Sequence, residues 1–278
     1  MRESVRTSAE WIAYFHANAA DLLDVPWDVG AGLTDAERDL VAASLPTWQL
    51  GESSDGRHLR RAAERYAAQV GDPNFIEAID LFIKEEQRHG AELGRFLDLA
   101  GIPRKKWDWG DAVFRLFRHF MPRIEITATV VVAVEIHALL YYAAIRRATG
   151  SLLLRRICQQ ILRDEPTHLH FQCERLARIH RRRPRWLLAV TMLAHRLLFT
   201  GTTLTIWATH RRALRAGGLS FGRFWRTAWA KMSWARKLMD PKRYSWPSGG
   251  SPVIFSEYAV ESSPGEQPCS ASSSPCCS

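Results

Sequence analysis

The chain has 278 residues, 46% of them hydrophobic, and carries a formal net charge of +9. This apolar share supports a sizeable core and excludes a wholly disordered chain. The five cysteines include no C-x-x-C pair, and three of them crowd the C-terminus, which argues against a disulfide framework and indicates a reducing compartment. Met1 to Glu10 lacks the apolar core of a signal peptide, so we expect a cytoplasmic protein.

The positive charge is concentrated in one part of the chain. Residues 140–243 carry 22 Lys or Arg against 4 Asp or Glu, whereas residues 1–139 carry 16 against 22. Such an asymmetry predicts an anionic partner, which could be a phospholipid surface, an acidic carrier protein or nucleic acid. A solvated surface that only keeps the protein soluble is the alternative explanation.

Residues 1–45 are predicted to form an N-terminal helical elaboration. Apolar residues at helical spacing predict a helix over Ser8–Leu23. The capping box that begins at Thr34 predicts a short helix to about Ser44. We expect both helices to cover a larger bundle.

That bundle is predicted over residues 46–180. Four long segments show helical periodicity, and Gly, Asp and Pro residues between them stop one helix and start the next. A basic connection and a short helix from Asp111 to Phe120 join the second segment to the third. The four predicted helices are Thr47–Val70, Pro73–Ala100, Arg123–Thr149 and Leu152–His180. We therefore expect an all-α fold.

Residues 181–240 are predicted to form a basic, Trp-rich helical extension. Trp186–Thr209 is apolar and long enough to span a membrane, but Arg196 near its centre is expensive in lipid. We favour a buried or interfacial helix there and keep a membrane span as the alternative. Phe221–Met239 is an amphipathic cationic helix that could lie in a membrane surface or pack on the bundle. Residues 241–278 are rich in Pro, Ser, Gly and Cys, which predicts a disordered tail.

Two five-residue motifs are candidates for metal binding. Glu85–His89 and Asp164–His168 each read acid-Glu-x-x-His, and a Glu and a His three residues apart lie about one turn apart on one helix face. Both side chains of a pair can therefore reach one metal ion. A single pair is commonly a solvated helix face, but two pairs, each preceded by a lone Glu, match the ligand set of a di-iron or di-manganese bundle. The predicted metal ligands are Glu52, Glu86, His89, Glu135, Glu165 and His168.

The two lone carboxylates differ in their surroundings. Glu135 lies in a nearly continuous apolar run from Ile124 to Leu140, where an unpaired carboxylate is costly to bury. Glu52 lies in a Gly- and Ser-rich stretch that could equally be a loop. Each ligand histidine should bind through one ring nitrogen and donate the other N–H to a carboxylate. His137 and His170, each two residues from a predicted ligand, point away from it and are excluded. The residues expected around the ligands are Glu85, Asp164, Tyr66 and Tyr142.

These motifs resemble those of the ferritin-like di-iron carboxylate superfamily. The match is closest to the soluble acyl-carrier-protein desaturase and bacterial di-iron hydroxylase branch, and it includes Arg88 in the first motif. Pro166 and Thr167 stand where the desaturase pattern has Lys and Arg. The resemblance covers roughly residues 46–180. It implies a ferritin-like four-helix bundle with N-terminal helices and additional C-terminal helices.

The resemblance also implies an oxidoreductase. Two Fe (or Mn) ions per chain would activate O₂ for hydroxylation or desaturation of an organic substrate, lipid-like or carrier-bound. The chain has no ferredoxin-type Cys cluster, flavin motif or nucleotide motif, so electrons would come from a separate ferredoxin- or reductase-type donor. The expected docking partner is either the anionic inner face of a membrane or an acyl carrier protein. We do not expect nucleic acid, and two chains could pair as a homodimer.

Two other functions remain open. An iron-handling ferroxidase or storage protein would use the same ligands, although a storage shell does not need the basic, Trp-rich extension. A metal-free ferritin-like protein that associates with membranes or partners would not need the six-residue ligand set.

Overall fold

The computed structural model describes residues 3–107 and 123–246. These residues belong to one compact unit and form helices joined by loops, apart from two short strands. The all-α prediction is therefore confirmed. The predicted helix from Asp111 to Phe120 and residues 247–278 of the predicted tail lie outside the described residues.

Most predicted helices are present with boundaries shifted by a few residues, except that the helix predicted over Trp186–Thr209 continues to Ala216. The first ends at Ala20 rather than Leu23, and the fourth bundle helix has the predicted bounds. Capping boxes start the first two helices, at Thr7 and at Thr34. In chain order the helices are α1 (Ser8–Ala20), α2 (Asp35–Ala42), α3 (Leu45–Glu52), α4 (Arg57–Val70), α5 (Asn74–Leu99), α6 (Ile124–Ala148), α7 (Leu152–His180), α8 (Arg185–Ala216) and α9 (Phe221–Leu238).

The predicted helix over Thr47–Val70 is wrong in one respect, because the chain divides it into α3 and α4. Gly56 adopts a left-handed backbone conformation with φ of +66°, which interrupts helical hydrogen bonding and is available to glycine at little cost. Glu52 is consequently the last residue of α3. Glu52 and Tyr66, which the prediction placed on one helix, therefore lie on two different helices.

Helices α5, α6 and α7 form the centre of the fold. Helix α5 contacts α1, α3, α4 and α7, while α6 contacts α4, α7, α8 and α9. Helix α6 is buried on nearly every side, as its continuous apolar sequence predicts. Only Thr149 to Ser151 separate α6 from α7, and the two helices pack together along their lengths.

The two C-terminal helices pack on this centre in different ways. Helix α9 buries Phe224, Ala228 and Met232, so it packs on the bundle through its apolar face. Helix α8 packs on α6 through polar contacts such as His195 Nε2 to Thr129 Oγ1, 2.7 Å. Among the described residues, α6 and α8 are long and apolar enough to cross a membrane, but α6 is a core helix whereas most of the apolar part of α8 is not buried.

The prediction of disorder from residue 241 is wrong for the first residues of that segment. Pro241–Arg243 form a 3₁₀ turn, and strand β2 (Tyr244–Ser245) pairs in parallel with strand β1 (Glu3–Ser4). The buried Tyr244 ring holds this pairing in place, because its hydroxyl donates to the Leu238 carbonyl at 2.8 Å. The buried Tyr244 side chain and the ion pair between Arg243 and Glu3 thus hold these residues despite the Pro- and Ser-rich composition on which the prediction depended.

Candidate metal centre

All six predicted ligands meet at one place in the core. They come from four helices, with Glu52 on α3, the first Glu–His pair on α5, Glu135 on α6 and the second pair on α7. Their side chains form two overlapping groups, and within each group one ligand atom per residue lies within 4.8 Å of the others. The first group is Glu52, Glu86, His89 and Glu165, and the second is Glu86, Glu135, Glu165 and His168.

The overlap has a definite pattern. Glu86 and Glu165, the carboxylates of the two motifs, belong to both groups. Each group then adds one histidine and one lone glutamate of its own. Carboxylate oxygens and imidazole nitrogens in such numbers are ligands that iron and manganese accept. The buried cluster could therefore hold metal, with two carboxylates placed to be shared between neighbouring positions.

The histidine ring nitrogens face two directions. His89 Nδ1 is buried and, within the described chain, has no hydrogen-bond partner; Glu165 Oε1 lies 3.8 Å away. His168 Nδ1 lies 2.7 Å from Glu86 Oε1. A buried ring nitrogen without a partner is costly. Both Nδ1 atoms point into the carboxylate cluster, as metal-binding nitrogens would, so the residues present fit a metal site.

The outward Nε2 atoms are held by the carboxylates that precede each motif glutamate, but in a crossed arrangement. His89 on α5 bonds Asp164 on α7 at 2.9 Å, and His168 on α7 bonds Glu85 on α5 at 2.8 Å. Each motif therefore supplies the outer carboxylate for the histidine of the other. Such outer carboxylates fix the tautomer and orientation of a metal-binding imidazole.

Asn18 on α1 connects the two outer carboxylates, and sequence reasoning missed it. Its Nδ2 donates to Glu85 Oε1 at 2.7 Å and to Asp164 Oδ1 at 3.0 Å. Arg88 and Gln160 also donate to Asp164. A usable signal existed, because Asn18 is a polar residue at helical spacing from the apolar residues Trp11 and Phe15 of α1. Through Asn18, a helix predicted only to cover the bundle supports the centre.

Replacing Asn18 by leucine should lower metal affinity by about 10- to 100-fold, the usual cost of losing an outer hydrogen-bond partner. Leucine cannot donate to either carboxylate. Glu85, which holds His168, would lose this hydrogen bond, whereas Asp164, which holds His89, would keep those from Arg88 and Gln160. Metal retained during dialysis against graded chelator measures the effect. His16→Leu, an exposed change on the same helix, is the matched control and should behave as wild type. Equal retention by N18L and wild type would rule out this supporting role.

The two predicted tyrosines have different positions. The Tyr142 hydroxyl donates to Glu52 Oε1 at 2.6 Å, which holds that carboxylate in place. Tyr66 instead packs edge-on against Phe75 and beneath the Arg175 guanidinium in a separate hydrophobic cluster. The break at Gly56 explains this difference, because it turns α4 away from the line of α3.

The excluded histidines have other partners. His137 bonds the Ala133 carbonyl through Nδ1 at 2.6 Å and Thr203 through Nε2 at 3.0 Å. His170 packs edge-on against Trp11. Both rings therefore contribute to helix packing.

Burial shapes the electrostatics of the cluster. It raises the pKa of Glu52, Glu135 and Glu165, and neighbouring carboxylates raise it further, so that the pKa of Glu135 reaches about 7. Burial acts in the same direction on Glu86, but the charges of His168 and His89 outweigh it and lower that pKa to about 2. Burial alone would lower the pKa of His168, yet Glu86 and Glu85 raise it well above its ordinary value. Metal would have to displace protons from these carboxyl groups, so its affinity should rise with pH.

Close contact between α3 and α5 positions Glu52. A Cβ atom at Gly90 would lie 2.6 Å from Ser53 Oγ and 2.9 Å from the Glu52 carbonyl carbon. The Gln49 amide also donates to the Gly90 carbonyl at 3.3 Å. Only glycine at position 90, next to the predicted ligand His89, lets the end of α3 approach so closely.

Replacing Gly90 by alanine should destabilise the fold by about 1–3 kcal/mol, the usual cost of overpacking, and reduce bound metal by displacing Glu52. Urea unfolding and metal analysis of the variant measure the two effects. Gly51→Ala is the matched control, because a Cβ there meets nothing within 4 Å and position 51 lies inside α3. If G90A and G51A were equally stable and bound equal metal, the close-contact explanation would be wrong.

A cavity of about 220 Å³ adjoins the cluster. Three of the predicted ligands, Glu52, Glu86 and Glu135, line it. Its walls are largely apolar and come from α3, α4 and their connection, and from α5, α6 and α8. The apolar residues of the wall include Leu59, Phe82, Ile83, Val130, Val131, Val134 and Ile206.

Comparison with known proteins identifies no relative. No protein-family model, no curated protein and no solved structure matches the chain. The chemistry of the centre must therefore be inferred from its own side chains.

Proposed function

We propose that the chain is a ferritin-like di-iron carboxylate oxidoreductase, which uses O₂ to oxidise an apolar organic substrate by hydroxylation or desaturation. One observation carries the proposal. Six Glu and His side chains from four helices, all buried except the half-buried Glu86, form two four-residue groups that share Glu86 and Glu165. This is the ligand arrangement of two metal ions bridged by carboxylates.

The donor set suits two divalent iron or manganese ions. Glu52 and His89 would hold one ion, Glu135 and His168 the other, and Glu86 and Glu165 would be available to both. Four carboxylates nearly neutralise two divalent cations, which lets the charged centre lie in an apolar core. When bound, two ferrous ions supply two electrons for the reduction of O₂ and so an oxidant strong enough to attack a C–H bond.

The protein's part in this chemistry is to orient ligands and exclude water. Asp164 and Glu85 hold the two imidazoles through Nε2, so each Nδ1 faces inward. Tyr142 donates a hydrogen bond to Glu52, a carboxylate that faces the cavity. Preorganised ligands of this kind need little rearrangement when the reaction occurs.

The cavity indicates the substrate. It is lined mostly by apolar side chains and lies directly against three of the proposed ligands. At about 220 Å³ it is smaller than the sites of about 300–1,000 Å³ that hold drug-sized molecules. A slender apolar group, such as part of an alkyl chain, free or carried by an acyl carrier protein, fits these properties.

We place the proposed enzyme in the cytoplasm. Its electrons come from a separate ferredoxin- or reductase-type donor, since the sequence contains no redox motif of its own. Iron oxidation without an organic substrate is the second candidate. Asp55 and His58 also line the cavity beside Glu52, and these polar groups could pass a ferrous ion inward.

Iron-loaded protein, reduced and then exposed to O₂, tests the proposal. With free and carrier-bound alkyl substrates, mass spectrometry should show a gain of one oxygen or a loss of two hydrogens, dependent on iron and on a reductant. Repeated Fe(II) oxidation that is independent of any substrate would favour the ferroxidase. O₂ uptake that is identical with and without iron would overturn both.

A cavity-filling variant separates substrate binding from iron chemistry. Val131→Phe should reduce product formation by about tenfold or more, because the substrate can no longer approach the metal ligands, while iron binding remains. Val29→Phe, at an exposed site outside the cavity, is the control. Full product formation by V131F would show that this cavity does not hold the substrate.

A further inference from the structure

Helix α8 carries an exposed apolar stripe. Five large side chains on it are 47–69% exposed. At about 100° per residue they fall within about 60° of one another, on one face that extends for about 27 Å. Small residues, including Ala194 and Gly201, are exposed beside them. The stripe consists of Trp186, Val190, Leu193, Leu197 and Leu204.

The stripe is separate from the contacts that hold α8 to the fold. The opposite side of α8 buries His195, Thr203 and His210. Thr203 bonds His137 on α6, and His210 Nδ1 bonds Ser44 Oγ at 2.8 Å. Contiguous exposed apolar surface of this kind usually marks an interaction site.

Arginines border the stripe at both ends. Arg181, Arg182 and Arg185 are exposed at the N-terminal end, and three more are exposed at the C-terminal end, namely Arg211, Arg212 and Arg215. Arg196 is exposed at the middle of its edge. Residues 181–216 contain no Asp or Glu. The whole face is therefore apolar along its length and cationic at its ends and edge.

We propose that this face of α8 docks on the surface of an anionic phospholipid bilayer. The helix lies parallel to the surface, with the stripe in the boundary between headgroups and acyl chains. The arginines at the ends and edge reach lipid phosphates. This inference does not depend on the metal centre. Helix α9 is not the docking element, because Phe224, Ala228 and Met232 are buried against the bundle. Its two exposed large side chains, Phe221 and Trp234, lie about 140° apart around the helix axis and form no common stripe.

Charge argues against a second copy of the chain as the occupant. In an antiparallel pair of α8 helices, the arginines at one end would lie beside those at the other end of the partner. A parallel pair would place identical arginine groups side by side. Both arrangements bring like charges together, which destabilises an interface, whereas anionic lipid complements all seven arginines.

A transmembrane arrangement of α8 conflicts with its packing. Its buried side bonds to α6 and to Ser44 through His and Thr side chains, so spanning would bring polar parts of the fold into hydrocarbon. Arg196 would lie near the bilayer centre, where a charge is expensive. At the surface the same side chain reaches water and phosphate.

Vesicle co-sedimentation of the full chain tests the docking. Vesicles of phosphatidylcholine alone are compared with vesicles containing phosphatidylserine, at low and high salt. Wild type should bind the anionic vesicles, with binding weakened by salt because exposed charges are screened. Leu193→Glu/Leu197→Glu should bind at least about tenfold less, since two buried apolar side chains are lost from the interface. Leu152→Glu is the control, as Leu152 is 67% exposed on α7 and Leu197 is 66% exposed on α8.

A charge variant tests the cationic ends separately. Arg211→Gln/Arg212→Gln should weaken binding to anionic vesicles by about 30-fold, since each arginine near such a surface strengthens it about fivefold. Arg61→Gln/Arg65→Gln removes the same charge from exposed positions on α4 and should bind as wild type. Circular dichroism confirms that each variant folds.

Three results would overturn the proposal. Wild type could fail to co-sediment with anionic vesicles at low salt. The stripe variant L193E/L197E could bind as wild type does. Light scattering could show a dimer that this variant converts to monomer, which would assign the stripe to a second copy of the chain. None of these results would alter the metal content or oxidation assays of the metal centre.

Discussion

Replacing Glu165 by alanine should remove nearly all metal from the chain, whereas replacing Glu52 should leave about one ion. Glu165 belongs to both four-residue groups, while Glu52 belongs to one. Losing a shared ligand weakens both positions, each by more than the roughly 10- to 100-fold that an outer partner costs. Metal analysis of the two variants after identical purification measures the difference.

The difference in metal content between E165A and E52A must be separated from a loss of folding. Glu77→Ala, at an exposed position on α5, should retain full metal content. Unfolding curves recorded with chelator show whether each variant folds without metal. Equal metal content in E165A and E52A, with both folded, would contradict the bridging role of Glu165.

The metal-free form of Glu135→Gln should be more stable than metal-free wild type at pH 8, by as much as about 3 kcal/mol. Burial raises the pKa of Glu135 to about 7 from an ordinary value of 4.5, and this difference corresponds to about 3 kcal/mol. In the unfolded chain the Glu135 carboxyl group loses its proton above about pH 4.5, but in the folded chain it keeps the proton up to about pH 7. Stability of the metal-free protein therefore falls as pH rises between these values, and glutamine removes that loss.

Urea unfolding with chelator, at pH 4 and pH 8, measures this effect. The advantage of E135Q should be large at pH 8 and nearly absent at pH 4, where Glu135 is protonated in both states. With iron present the order should reverse, because wild type gains stability from binding and the variant lacks a ligand. If E135Q were several kcal/mol less stable at pH 8 in chelator, Glu135 would have to pair with a core cation instead.

Helical periodicity explains why the six clustered residues could be chosen from sequence. The Glu-x-x-His spacing places both side chains of each pair on one face whatever the surrounding fold. Glu135 was recognisable because a carboxylate in an apolar helix needs a partner. Glu52 depended on chain order alone, and the structure places it at a helix end held by the close approach of Gly90.

Features that depend on how helices meet could not be predicted in the same way. The crossed pairing of Glu85 with His168 and of Asp164 with His89 requires the relative position of α5 and α7. The bond from Asn18 to both carboxylates requires α1 to pack across them. Tyr66 was expected near the predicted ligands, but the left-handed backbone at Gly56 changes the direction of the chain before it. The spacing of apolar residues does not reveal such a local break.

The number of metal ions that each chain binds tests the central claim most directly. Anaerobic titration with Fe(II), followed by metal analysis after gel filtration, should reach a limit of about two ions per chain, because two overlapping groups share two glutamates. Expression in iron-replete medium without chelator should give the same ratio of iron or manganese. A limit of one ion per chain, or zinc alone bound under iron-replete conditions, would contradict the dinuclear centre.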